Sequence, residues 1–174
     1  MDGFIVLAKY NRWMNQSIYE KSQKLGQESI AKDQKTFFGS ILSTLNHLLI
    51  GDIFWLSRCS GDKSFFNLYD PDGEKIYIKS LDQILYKDID ILYGNRARID
   101  EEIISYICGL SRTDLDKDIE YQTSQGSKMA NRLEYILLHW FNHQTHHRGQ
   151  ITAMLSQQGV DYGLTDLIYI KDQF

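Results

Sequence analysis

Four of the five histidines of this chain lie within one short segment: His139, His143, His146 and His147. A neutral imidazole is the commonest protein ligand for a divalent transition metal. Two histidines four residues apart on one face of a helix can bind a single ion, and His143 and His147 have this spacing. A single histidine of this kind is more often a hydrogen-bonded core residue, but two in register favour a metal site.

The segment that carries these histidines is predicted to be a helix from about Asn131 to Gln157, because its apolar residues recur with helical spacing. Each residue of a helix turns by about 100°. His143 and His147 then lie towards the buried face, whereas His139 and His146 lie towards solvent. The residues that define the buried face are Leu133, Ile136, Leu137, Trp140, Ile151, Met154 and Leu155.

The third ligand must come from another helix, and His47 is the remaining histidine. It lies in a predicted helix from about Thr36 to Cys59, which is apolar nearly all round beyond Leu45 and should be buried. Three histidines leave one coordination position open, which is typical of catalytic zinc sites. We expect one divalent ion per chain, with zinc or nickel ahead of iron or cobalt.

Several classes of protein are excluded by the sequence. A zinc-protease helix needs a glutamate where Gln144 stands, and the Glu-x-x-His pairs of di-iron bundles are absent. A net charge of −4 argues against nucleic-acid binding. The N-terminal apolar run, Phe4–Ala8, is too short for a signal peptide or a membrane span, so we expect a cytoplasmic protein with no membrane partner.

The remaining elements predict the fold. A first helix should run from about Phe4 to Leu25, and a third from an N-cap at Ser80 to about Cys108. The connection from Asp62 to Lys79 is long enough for a crossover, and residues 119–129 could form a short hairpin. We therefore predict an all-α fold, a four-helix bundle with a long crossover connection and a short β-hairpin before the last helix, in a single domain spanning residues 1–174.

The segment Asn142–Gln150, with sequence NHQTHHRGQ, resembles the signature of the DinB/YfiT-like family of metalloenzymes. Weaker matches support the resemblance along nearly the whole chain. They are YNRWMN at Tyr10–Asn15, LNHLL at Leu45–Leu49 together with Asp52, and DLIY at Asp166–Tyr169. The resemblance implies a bundle with a crossover, a divalent metal on three histidines, and often a homodimer. The three that match the family's ligands are His47, His143 and His147.

Some members of that family are metal-dependent transferases or isomerases that use bacillithiol, mycothiol or glutathione. The resemblance therefore implies a small-molecule substrate, and a thiol S-transferase is our first hypothesis. The alternatives are a metal-dependent hydrolase and a non-catalytic metal-binding bundle with a structural or stress-related role. Beside an open metal position, Arg148 could contact an anionic substrate, although a salt bridge would explain it equally well. Asp52 and Gln150 could orient ligand histidines, although ordinary hydrogen bonding would explain them at least as well.

The sequence also supports local predictions for two cysteines and one glycine. Cys59 and Cys108 form no CxxC pair, so both should behave as small buried apolar residues in a reducing compartment. Gly149 is unfavourable inside a helix. A close approach by a neighbouring helix would explain it.

Overall fold

Four long helices form the body of the protein, and the computed structural model describes residues 1–123 and 126–173. The helices are α1 (Asp2–Leu25), the short α2 (Gln27–Ala31), α3 (Ile41–Ser60), α4 (Ile89–Gly109) and α5 (Leu133–Gln157). Short 3-10 helices occupy Ser64–Phe66, Arg112–Asp116 and Leu167–Gln173. The strands are β1 (Leu68–Tyr69), β2 (Lys75–Ile76), β3 (Asp118–Gln122) and β4 (Lys128–Arg132).

Each long helix packs against two others, so that the order around the bundle is α1, α4, α3, α5. Two antiparallel strand pairs are added to this bundle. The first, β1 with β2, lies within the connection between α3 and α4. The second pairs β3 with β4 in a register that runs from Asp118 opposite Arg132 to Gln122 opposite Lys128. The predicted all-α bundle with a hairpin before the last helix is therefore confirmed, although residues 124 and 125 of the predicted hairpin segment lie outside the described part.

The third long helix begins later than the sequence predicted. Ser80 does not cap it, because α4 starts at Ile89 and the side chain of Asp88 accepts hydrogen bonds from the amides of Asp90 and Ile91. Residues 77–88 instead form an irregular segment, in which the Gln83 side chain donates to the Tyr77 carbonyl. This correction matters for the site, because the segment packs beside His47.

The second long helix also starts later, at Ile41 instead of Thr36. Ser40 is its N-cap, and the Ser40 hydroxyl accepts a hydrogen bond of 3.1 Å from the Ser43 amide. Its end is set by Gly61, which adopts the left-handed conformation with φ of 77°. Residues 36–40 therefore lie outside the helix, and Phe38 packs close to the histidines.

A buried charged cluster connects the helices at the centre of the bundle. Asp52 lies 2.7 Å from Arg96, and Arg96 lies 2.9 Å from Asp100 on the next turn of α4. Trp140 donates a 2.6 Å hydrogen bond to Asp52, and Gln144 donates to the same carboxylate. The expectation that Asp52 orients a ligand histidine is corrected, because its partners are the residues of this cluster.

Two other local expectations are also corrected. Cys59 is partly buried as predicted, but Cys108 is exposed. Among the described residues, a Cβ atom at Gly149 would meet no atom within 4 Å, so none of the described helices approaches it closely. Within the part of the chain that the structure covers, no helix is long and apolar enough to cross a membrane.

Candidate metal centre

Three histidines converge where α3 faces α5. His47 lies on α3, and His143 and His147 lie one turn apart on α5. One ring nitrogen from each lies within 4.8 Å of the others, and the Nε2 atoms of His47 and His143 are 3.1 Å apart. Two nitrogens that bind one tetrahedral zinc ion at about 2.0–2.1 Å would be roughly 3.3 Å apart. The observed spacing of this pair therefore suits a shared ion.

Hydrogen bonds at the far side of two rings direct the remaining nitrogens towards each other. The Nδ1 atom of His47 is 2.8 Å from the Leu81 carbonyl, which can only accept, so this nitrogen carries the proton. The Nδ1 atom of His147 lies 2.9 Å from Oε1 of Gln150, and the Gln150 amide nitrogen lies 3.1 Å from His146. Both Nε2 atoms thus keep a free lone pair, as a metal ligand requires.

The electrostatics of the site favour neutral imidazoles. Burial lowers the pKa of His47 and of His147. Burial lowers the pKa of His143 to about 3, with further lowering by His147 and His47. The Nδ1 atom of His143 is buried and has no hydrogen-bond partner among the described residues. Three uncharged nitrogen donors with converging lone pairs fit a divalent transition metal.

Two residues that the sequence analysis did not single out shape the space around the rings. The Phe38 ring stacks on His47 at a centroid distance of 4.1 Å and meets His147 edge-on at 5.4 Å. Gly51 lies one turn after His47, and a Cβ atom there would be 3.4 Å from Cε1 of His143. The sequence could have pointed to Gly51, because it is a glycine inside a predicted helix, one turn from a candidate ligand. Nothing in the sequence pointed to Phe38.

A cavity of about 560 Å³ opens beside His47 and His143. Its described lining contains no aspartate or glutamate, but it contains two cationic side chains, Arg58 and Lys79. His139 also lines it. The other lining residues are Gly51, Phe54, Trp55, Ile78, Ser80, Leu81, Tyr121, Gln122 and Thr123. The volume is in the range of cavities that hold small molecules.

The other residues that the sequence singled out in this segment do not belong to the histidine cluster. His139 and His146 are exposed, as the helix periodicity predicted. Arg148 is only 3% exposed, donates a hydrogen bond to Asn11 on α1, and lies 5.3 Å over the Tyr10 ring. It does not line the cavity, which corrects the expectation that it contacts an anionic substrate.

Known proteins resemble this chain along most of its length. The model of the DinB family matches residues 1–173. Protein DinB of Bacillus subtilis (strain 168) is 29% identical over 163 residues, which cover 91% of this chain and 90% of that protein. The crystal structure of a DinB-like protein from Bacillus cereus ATCC 10987 covers 94% of this chain and 96% of its own, with a TM-score of 0.61 at 19% identity, and shows the same fold. The chain belongs to the DinB family.

Proposed function

We propose that this protein is a metal-dependent enzyme in which His47, His143 and His147 hold one divalent ion, with zinc or nickel as the first candidates. One observation carries the proposal: three neutral imidazoles converge beside a cavity of about 560 Å³. A structural zinc site would have a fourth protein ligand. Among the described residues, the cluster contains three histidines and no fourth ligand of the usual types.

The reaction that these residues support best is the transfer of a low-molecular-weight thiol to an electrophile. A bound divalent ion would favour the thiolate form of a thiol, which is the nucleophilic form. Hydrolysis normally needs a general base for water, and no carboxylate is found among the described lining residues. The chain itself binds and orients the substrate through the cavity wall and holds the ligand tautomers through Leu81 and Gln150.

Metal content tests the ligand assignment. We expect His47→Ala, His143→Ala and His147→Ala each to lose the ion in elemental analysis, since each removes one of three ligands. His139→Ala and His146→Ala are the matched controls, because both remove an imidazole of the same helix and should retain the ion. Full metal content in any one of the first three variants would remove that residue from the site.

A cobalt-substituted protein tests the thiol chemistry. Bacillithiol, glutathione or mycothiol should produce a sulfur-to-metal charge-transfer band, and His147→Ala should abolish it. Because thiolate binding releases a proton, the thiol should bind more tightly as the pH rises through neutrality. A spectrum that none of the three thiols changes would reject the thiol reaction and leave hydrolysis or a non-catalytic metal site.

We also propose that the protein forms a homodimer. An apolar groove lies between the start of α1 and the first turns of α5, and its lining includes Phe4, Leu7, Leu138 and Leu167. Leu138 is 51% exposed, and burial of such a surface against a second copy would be favourable. Light scattering at micromolar concentration should give twice the chain mass of 20.4 kDa, and the monomer mass would contradict the proposal.

A further inference from the structure

The cavity wall contains an arginine that is held in place by aromatic rings. The guanidinium carbon of Arg58 lies 4.9 Å from the centroid of Trp55, 5.2 Å from that of Tyr121 and 5.3 Å from that of Phe54. One guanidinium nitrogen donates a 2.8 Å hydrogen bond to the Gln122 carbonyl. The side chain is therefore fixed before any ligand binds, and little further side-chain entropy is lost on binding.

This arginine has no acidic partner in the part of the chain that the structure describes. The ion pairs found there involve other cations, and neither Arg58 nor Lys79 belongs to one. A guanidinium has five N–H donors, of which the Gln122 carbonyl uses one. Lys79, from the connection between α3 and α4, lines the same cavity. Two unpaired cations with no carboxylate beside them make this part of the cavity suited to an anion.

The position of Arg58 along α3 places it at a distance from the candidate metal ligands. It follows His47 by eleven residues, which corresponds to about three turns, an angular offset of roughly 20° and an axial separation of about 16 Å. Gly51 and Phe54 lie between them on α3 and line the cavity too. The cavity thus extends along one side of this helix, from the histidines to the guanidinium.

We propose that Arg58, assisted by Lys79, binds a carboxylate of the substrate while the reacting atom of the substrate lies at the histidine end. The proposal builds on the proposed function and specifies its substrate class. The substrate would be an extended small molecule with a carboxylate several bonds away from its reactive group. The planar guanidinium can bind both oxygens of a carboxylate at once, which an amine cannot do.

Binding of paired probes tests this site separately from the chemistry. S-methylglutathione carries carboxylates but no free thiol, and its diethyl ester keeps the shape without the negative charges. Heptanedioate and its diethyl ester form a second pair of different shape. By calorimetry, with and without zinc, we expect at least one acid to bind about tenfold or more tightly than its ester, as a charge-assisted hydrogen bond would give.

Variants at the cavity wall should remove this preference. Arg58→Gln should abolish the difference in affinity between acid and ester. Lys79→Gln should reduce this difference, and Arg58→Lys should retain only part of it. Arg112→Gln is the matched control, because it removes the same charge from an exposed position and should change nothing. Circular dichroism of each variant establishes that it is folded.

The possible results separate the two proposals. Equal affinity for acid and ester in both pairs, no binding of either acid, or a preference that survives in folded Arg58→Gln would overturn the anion site. An Arg58-dependent preference would support it even if no thiol changed the cobalt spectrum, since neither acid has a thiol. In that case only the thiol chemistry would fail.

Discussion

Replacing Asp52 with asparagine should destabilise the protein without weakening metal binding. Asp52 is completely buried and lies 2.7 Å from Arg96, which is 1% exposed. The substitution keeps the size of the side chain but removes its charge and places an amide donor near the guanidinium. Asp100 would then be the remaining acidic partner of Arg96.

The expected size of the effect follows from burial. Removing one partner of a buried ion pair costs about 3–5 kcal/mol. The asparagine oxygen can still accept hydrogen bonds from Trp140 and Gln144, so we expect a loss near the lower limit, about 3 kcal/mol in the free energy of unfolding. That is a large fraction of the roughly 5–15 kcal/mol that stabilises a typical domain.

Urea unfolding of the metal-free protein, followed by circular dichroism, measures this loss. The dependence of the unfolding free energy on urea concentration should be the same for the variant and the wild type. Glu101→Gln is the control. Its ion pair with Arg12 is 2.8 Å long, but the two side chains are 63% and 39% exposed. Exposed pairs of this kind contribute at most about 1 kcal/mol.

A decrease of less than about 1 kcal/mol in the free energy of unfolding of Asp52→Asn would refute this account of the buried ion pair. Much weaker zinc binding by the folded variant than by the wild type would also contradict it, because Asp52 would then act on the ligand histidines.

The other predictions concern glycines and cysteines. Gly149→Ala should stabilise α5 by about 0.5–1 kcal/mol and raise the Tm by about 2 °C, since the new methyl group meets no atom; a lower Tm would contradict this. Gly51→Ala should retain zinc, because its Cβ would lie 3.4 Å from a carbon of His143, which is an ordinary van der Waals contact. Gly51→Val adds two methyl groups that would push against the His143 ring, and it should weaken zinc binding about tenfold or more. Equal affinity of the two variants would show that Gly51 does not provide space for the ring. Burial raises the pKa of Cys59 to about 12, so at pH 8 this thiol stays protonated and a disulfide reagent should label only exposed Cys108; rapid labelling of a Cys108→Ser variant would contradict this.

Much of the bundle could be predicted from the sequence because it depends on local patterns. Helical apolar spacing predicted the long helices to within a few residues, apart from the start of α3, five residues later than predicted, and the start of α4. That start was misplaced because Ser80 and Asp88 are both good N-caps by residue type. Which of them caps the helix depends on how residues 77–88 pack against the bundle.

The same local geometry explains which site predictions failed. Arg148 follows His147 directly, and consecutive residues on a helix point about 100° apart. The side chain therefore turns towards Asn11 on α1 and away from the cavity. Asp52 lies five residues after His47, a rotation of about 140°, and so it joins the central charged cluster.

The sequence by itself determined that His143 and His147 share one side of a helix and that His47 lies in another buried helix, because helix periodicity acts over only a few residues. Tertiary structure decided the rest. The Leu81 carbonyl sets the tautomer of His47 from 34 residues away, and Gln122 on a separate hairpin helps to hold Arg58 in the cavity wall. Contacts over such distances in the chain depend on how helices and loops pack together, and no local pattern encodes them.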